Sequence, residues 1–334
     1  MDWLHDMIFQ PQSTVQKIVV MIFAMALFVA LVALIMWLIG RPRVPTWLVF
    51  LGFAGPVLIA VSLGLIYPFI RTVLDSFHQF NSVGQAVGWN GLDNYTSYFS
   101  GQGNRRMLIN TVLWLFLVPI LATGLGLVYA TLVDRVRGEK FAKALVFLPM
   151  AISMVAAGIA WRYIYYQPAP KGDSQIGLLN FLWSLVGGEP TNWLIKYPQG
   201  TFAMIIVMVW IQTGFAMTVL SAAIKAVPDD IVEAARIDGA SGWKLFTKIT
   251  VPSIRTTLVV VVTTVAIAAL KSFDVVFTMG SNLPSNDILA SAFYNAQSTL
   301  NYGKAGAAAV LIFILVIPVI AYNVLQMRKA DSYR

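Results

Sequence analysis

The sequence predicts an all-α polytopic membrane protein, and three observations carry that prediction. Of the 334 residues, 58% are hydrophobic and 11% charged, with mean hydropathy +0.74. A soluble domain needs more polar groups than that to cover its surface. The apolar stretches also reach the roughly 20 residues that a bilayer-spanning helix requires. Finally, the basic residues sort to one side of the topology those stretches imply, so the net charge of +8 points to a membrane and not to nucleic acid. Cysteine is absent, which excludes disulfides and cysteine-ligated metals.

Seven spans are expected, at about 15–39, 46–70, 107–133, 141–166, 201–224, 255–277 and 303–327. The first lacks a basic leading region and is followed by Arg41-Pro42-Arg43, a stop-transfer flank. It reads as an anchor and not as a cleaved signal. Residues 1–45 therefore form an N-terminal anchoring helix and connector, and residues 46–330 the main transmembrane domain. Polar, turn-forming loops fill 81–106, 167–200 and 280–287. The aromatic run WRYIYY (161–166) closes the fourth span at the water interface.

Charge sets the topology. With the loop after the fifth span and the C-terminal tail placed inside, fourteen of the 23 basic residues face the cytoplasm: Arg41, Arg43, Arg135, Arg137, Lys140, Lys143, Lys225, Arg236, Lys244, Lys248, Arg255, Arg328, Lys329 and Arg334. Seven spans then put the N-terminus outside, which its acids Asp2 and Asp6 accept.

The loop after the fifth span, VEAARIDGASGWKLFTKITVP (232–252), is a polar island. Asp229 and Asp230 suit a helix N-cap, with Glu233 three residues after Asp230 as in a capping box. Gly239 ends that helix at about Asp238. Ser241 caps a second short helix on which Trp243, Phe246 and Ile249 share a face. Pro252 breaks the chain into the next span. The product is a helix–glycine–helix elbow at about 228–252. Ala234 and Ala235 allow close approach, Glu233 and Asp238 offer charge, and Trp243 and Phe246 offer anchors. From the residues alone, the elbow either inserts into a cleft on another protein or lies flat on the membrane.

That stretch resembles the EAA loop of binding-protein-dependent ABC importer permeases. Glu233-Ala234-Ala235, Asp238-Gly239-Ala240, Phe246, Ile249 and Pro252 carry the resemblance. It departs from the pattern at Val251, where leucine is usual, and at Thr256, where a second proline is usual. Residues 147–153, 209–240, 270–279 and 301–312 look like the carbohydrate branch of the family. Residues 175–194 look like its α-glucoside type, the first permease of a maltose-like pair. The resemblance covers about residues 50–325.

It implies the type I ABC importer permease fold in a bacterial or archaeal cytoplasmic membrane. It also implies a second permease completing a heterodimer, two copies of a cytoplasmic ABC ATPase, and a sugar-binding protein outside. The chain itself would bind no cofactor; ATP and magnesium would belong to the ATPase. Glu233, Ala234, Ala235, Asp238, Gly239, Ala240, Trp243 and Phe246 would couple to that ATPase. The sugar path would draw on the fifth span (Trp210, Gln212, Thr213, Phe215) and the sixth (Lys271, Ser272, Asp274). The fourth span would add Ser153. Such residues combine aromatic faces with hydrogen-bonding groups, as sugar sites do, and polar groups inside spans tend to face cavities. The plainer readings are that Lys271 and Asp274 pair on one helix face and that Trp210 is packing. Met204, Met208 and Met217 read as packing.

Other functional classes fare worse. No G-x-x-x-x-G-K-[ST] phosphate loop exists, since Gly303-Lys304 is followed by Ala305. A membrane enzyme would need a catalytic or metal motif, but the two histidines, His5 and His78, lie far apart and no H-E-x-x-H occurs. Phosphorylated substrates would call for clustered arginines in the spans, which are missing. An ion-coupled secondary sugar transporter with a Lys271–Asp274 relay is the main alternative.

Overall fold

Long runs of apolar residues make the first two helices, the second with Pro56 inside it. α1 is Thr14–Ile39. α2 (Thr46–Val61) starts behind Pro45, whose φ of −62° suits a helix entry. A π-helical turn, Ser62–Ile66, passes α2 into α3 (Tyr67–Asp75). This computed structural model describes residues 14–39, 45–134, 137–166, 177–280 and 286–331. Arg41, Arg43, Arg135 and Arg334, the acids and histidine of the first six residues, and most of the 167–177 and 280–287 connectors fall outside the described residues. The chain divides into two compact units, one ending at Arg71 and one beginning at Thr72. In the first, α2 buries no side chain although it is apolar all round, the pattern of a membrane span.

The second unit opens with a hairpin, β1 (His78–Phe80) and β2 (Ala86–Trp89), antiparallel, with His78 opposite Trp89 and Phe80 opposite Ala86. Asn81 makes its turn: the side-chain oxygen accepts the N–H groups of Val83 (3.1 Å) and Gln85 (2.9 Å). Then come α4 (Asp93–Phe99), α5 (Gln102–Val133), α6 (Glu139–Ala151), α7 (Met154–Ile164) and α8 (Leu178–Leu185). α9 (Gln199–Lys225) leads to α10 (Asp229–Ile237) and α11 (Trp243–Leu245). A π turn (Phe246–Thr250) and α12 (Val251–Ser253) lead into α13 (Arg255–Leu270). α14 (Phe273–Gly280), α15 (Leu289–Ser298) and α16 (Tyr302–Asp331) complete the unit.

The core of the second unit sits on α9. It lies along α5 and α6, α13 packs on α5, and α14 packs on α7. Small residues let these helices meet closely. A Cβ on Gly126 of α5 would come 2.7 Å from that of Ala216, and one on Gly214 of α9 would come 2.6 Å from the Val146 carbonyl of α6. Trp114, Met204, Met208, Leu220 and Val261 are fully buried there, and Met217 nearly so. The three methionines expected to pack therefore do so.

Polar side chains inside this unit are tied down. Asn110 donates to the Asp287 carbonyl (3.0 Å) and accepts from Thr201 (3.1 Å). Asn180 donates to the carbonyls of Tyr166 and Thr191, while its oxygen accepts from Thr191 N–H and from the Trp193 indole. Every hydrogen-bonding atom of that buried amide has a partner, which fixes the 177–194 loop. Tyr98 donates to the Lys304 carbonyl at 3.0 Å, and burial pushes its phenol up to about 12.

Among the described residues, five helices are long and apolar enough to cross a membrane: Thr14–Leu34, Thr46–Asp75, Gln102–Val133, Gln199–Lys225 and Tyr302–Arg328. Counting each of two bent pairs as one span gives up to seven. The expected continuous fourth span, 141–166, is not one straight helix: α6 and α7 meet at 100°. Ile152 leaves the helical region (φ −84°, ψ 140°) just after Pro149, and Ser153 begins α7 as its N-cap. The sixth, 255–277, is also interrupted. α13 ends at Leu270, and the Phe273 N–H turns to the Lys271 carbonyl (2.8 Å) in place of a helical partner. Lys271 and Asp274 therefore do not share a helix face, and no ion pair joins them among the described residues.

Candidate functional site

The elbow grows directly out of α9. Lys225 is the last residue of that helix, and Pro228 (φ −56°, ψ 134°) stands at the N-cap of α10. The expected caps Asp229 and Asp230 instead fill the first turn, because proline's fixed φ places the boundary one residue before the first and two before the second, so the expected Asp230–Glu233 capping box does not form. Both acids still face the positive end of the helix dipole.

The glycine stop is formed as the sequence indicates. Gly239 has φ 81°, its N–H donates to the Arg236 carbonyl (3.0 Å), and Ala240 N–H donates to the Ala235 carbonyl (2.9 Å). These two bonds are the Schellman closure of a helix end. Ser241 does not cap the next helix with its side chain. Gly242 (φ 50°) holds that position, and Ser241 supplies only its carbonyl, to Lys244 N–H at 3.1 Å. The chain turns by 73° at Ile254, two residues past Pro252, where α13 departs.

What the elbow presents follows from that geometry. Glu233, Ala234, Asp238 and Gly239 are exposed, Ala240 and Phe246 are half-buried, and Ala235 is buried. Trp243 is 75% exposed and lies against Phe246, with ring centroids 5.4 Å apart. Ile237 is 87% exposed, more than any other large apolar residue of the elbow. Sequence reasoning passed over it. The available signal was an isoleucine immediately before the Asp-Gly stop, where a helix end has little left to bury it.

The expected sugar-path residues fall into two groups. Trp210 meets Trp161 edge-on at 5.5 Å, and Trp161 lies beside Tyr165 at 5.4 Å. Gln212 and Thr213 are buried, and Thr213 donates to the Val209 carbonyl (2.7 Å). Phe215 is half-buried on the same core, and Ser272 is buried with its hydroxyl 3.5 Å from the Met208 sulfur. Ser153 is exposed, and its hydroxyl accepts the Ala156 N–H at 3.2 Å.

Lys271 belongs to the second group. It is exposed and lines a cavity of about 380 Å³ with Phe273, Phe293 and Tyr294. Beside it Phe273 tilts against Phe277 and Tyr294, with centroids 4.9 and 4.2 Å away, and Phe277 meets Tyr294 edge-on at 5.3 Å. Asp274 is half-buried on the same short helix. Sequence reasoning did not find this aromatic group, because Tyr294 comes from another element. A larger cavity, about 730 Å³, lies between α5, α13 and α16, but almost all of its lining is apolar and it offers a sugar few hydrogen bonds.

A third cluster was also missed. Lys143 of α6 donates to Asp134, to Glu139 (2.8 Å) and to Ser221 of α9. Ser221 donates to Asp134 (2.8 Å), and Lys225 donates to Glu139. Asp134 and Ser221 are buried, while Lys225 is half exposed.

Known proteins resemble this chain along most of its length. A family described as "Binding-protein-dependent transport system inner membrane component" matches residues 122–329. The "Osmoprotective compounds uptake permease protein GgtC" of Synechocystis sp. is 40% identical over 284 residues, 84% of this chain and 100% of that protein. The "Alpha-glucoside transport system permease protein AglF" of Rhizobium meliloti is 41% identical over 275 residues, covering 81% of this chain and 80% of the other. Among solved structures, a chain of a bacterial alginate ABC transporter in complex with an alginate pentasaccharide-bound periplasmic protein superposes with TM-score 0.69 at 21% identity. The match covers 85% of this chain and 95% of that one.

Proposed function

The chain belongs to the family of binding-protein-dependent transport system inner membrane components, and from that premise we propose that it is the permease subunit of an ABC importer for α-glucosides or related di- and oligosaccharides. The observation that carries this reading is the elbow. It is a closed helix–glycine–helix unit that leaves Ile237 and Trp243 in the open. Exposed anchors of this kind mark a contact with another protein.

Transport against a gradient needs a fuel-burning partner, and this chain has no phosphate loop. Gly303 lies in the first turn of α16 instead, where an added Cβ would run into the backbone of His78. Two copies of a cytoplasmic ABC ATPase, holding ATP and magnesium, supply that work, and one of them receives Glu233, Ala234, Asp238, Gly239, Ala240, Trp243 and Phe246, with Ile237 added, while Ala235, expected at the contact, is buried. A second permease completes a heterodimer, and a sugar-binding protein delivers substrate from outside. The elbow and C-terminus face the cytoplasm and the N-terminus faces out, in keeping with the basic residues Lys140, Lys143, Lys225, Arg236, Lys244, Lys248 and Arg255 near the elbow.

The sugar passes Trp210 and Phe215, whose ring faces suit its apolar surfaces. Lys271 and Asp274 meet its hydroxyls, whereas Gln212, Thr213 and Ser272, expected on the path, are buried in the core. Ser153 acts there as a cap that sets the start of α7. An ion relay through Lys271 and Asp274 has lost its geometric basis, since the two stand on either side of a helix break without pairing.

Reconstitution tests the reading. Proteoliposomes holding the full complex and its binding protein should accumulate labelled maltose or sucrose only with ATP on the ATPase side. Accumulation by this chain alone under an ion gradient would contradict it.

A further inference from the structure

Two acids, two lysines and a hydroxyl lie at the elbow end of α5, α6 and α9, and beyond the charge that Lys143 and Lys225 add to the inner side they have no part in the reading above. All three donors of the Lys143 ammonium are used, on Asp134, Glu139 and Ser221. Ser221 accepts that bond and donates its own hydroxyl hydrogen bond to Asp134. Lys225 bonds Glu139 and stands 3.9 Å from Asp134. The charges cancel. The second Asp134 oxygen is buried with no partner among the described residues.

Stability alone is a poor account of this group. Partly buried ion clusters lose much of their attraction to desolvation, and apolar replacements of equal volume are often as stable. The exposed Lys225 arm is worth little energetically. What such a cluster does well is fix the register of the elements it joins.

The elements joined here are telling. Lys225 ends α9 three residues before Pro228 opens the elbow. Glu139 begins α6, which is 13 residues and about 20 Å long and ends at the 100° break that carries Ser153. A push on the elbow thus reaches α9 directly, and at that end of α9 this cluster ties it to the start of α6, beside the packing of the two helices further along.

We propose that Asp134, Glu139, Lys143, Ser221 and Lys225 form the latch that carries elbow displacement from α9 into α6. This inference rests on the coupling role proposed for the elbow. Lys143 and Asp134 act as positioning residues: they touch neither sugar nor ATP, and they hold α6 to the moving helix.

The test compares wild type with Lys143→Met, Asp134→Asn and Lys143→Arg in the purified complex in lipid, with its binding protein. Maltose or sucrose is the probe, whichever stimulates wild type. Both ATP hydrolysed and sugar moved are measured. The ratio of sugar to ATP should fall at least about fivefold in the first two variants, the lower end of site-to-site coupling. Lys143→Arg should recover part of it. Ser221→Ala, which removes one hydroxyl, should lower the ratio in the same direction should the charge variants fail to assemble. An unchanged ratio in assembled Lys143→Met, or in Ser221→Ala where only that variant assembles, overturns the latch while leaving the importer reading intact. A wild-type complex without sugar-stimulated hydrolysis overturns both.

Discussion

The backbone N–H of Ala240 donates to the carbonyl of Ala235 at 2.9 Å, across a glycine at φ 81°. This one closure sets the angle at which the second half of the elbow leaves the first. Nothing lies within 4 Å of the space a Cβ on Gly239 would take. A substitution there acts through backbone strain and not through collision. Gly239→Ala should cost about 1 kcal/mol locally and lower sugar-stimulated ATP hydrolysis without lowering the amount of chain in the membrane. Gly239→Asn should do less harm, because asparagine tolerates the left-handed region better.

Ile237 and Trp243 should anchor the ATPase. Each truncation, Ile237→Ala or Trp243→Ala, should weaken its binding by about 2 kcal/mol, near 30-fold. Titration of purified ATPase onto the permease in detergent measures it. Equal affinity in both variants would return the elbow to its other reading, an amphipathic element lying on the membrane.

The two aromatic groups separate the possible sugar contacts. Trp210→Ala and Tyr294→Ala should each raise the half-saturating sugar concentration roughly tenfold, about 1.4 kcal/mol, if both groups lie on the path. The dose–response of transport in proteoliposomes reads this. An effect of Trp210→Ala alone would confine the path to the first group and assign the Phe273–Phe277–Tyr294 group to packing.

Asp287 should titrate visibly. Burial pushes its carboxyl up, and the Ser291 hydroxyl, donating at 3.1 Å, pulls it partly back. A carboxyl that holds its proton more tightly when folded costs nothing at low pH, where it is protonated in both states. Its cost grows as pH rises from the ordinary carboxylate range through the raised value. Wild type should therefore lose thermal stability relative to Asp287→Asn as pH climbs through that window. Parallel melting curves from acid to neutral pH would count against the shift.

The elbow was legible because its signals are local: Pro228, the acids behind it and Gly239 sit within one short segment. The errors there are of one or two positions: proline and Gly242 took the cap places assigned to aspartate and serine, and the exit bend falls at Ile254 and not at Pro252. The helix breaks were not legible. The apolar pattern resumes on both sides of Ile152-Ser153 and Leu270-Lys271, and the polar residues at those points read as groups facing a path and not as bends. Asp134 and Ser221 stand 87 residues apart, so nothing in the chain announced their meeting. The Tyr294 group was hidden for the same reason.

One measurement bears most directly on the claim that this elbow receives the work of ATP. The purified complex in lipid, with its binding protein, is assayed for ATP hydrolysis across a panel of disaccharides, wild type against Glu233→Ala combined with Gly239→Pro. Stimulation by an α-linked glucoside in wild type, lost in the double variant while all subunits still assemble, is the predicted result. Equal stimulation in the two would contradict the account.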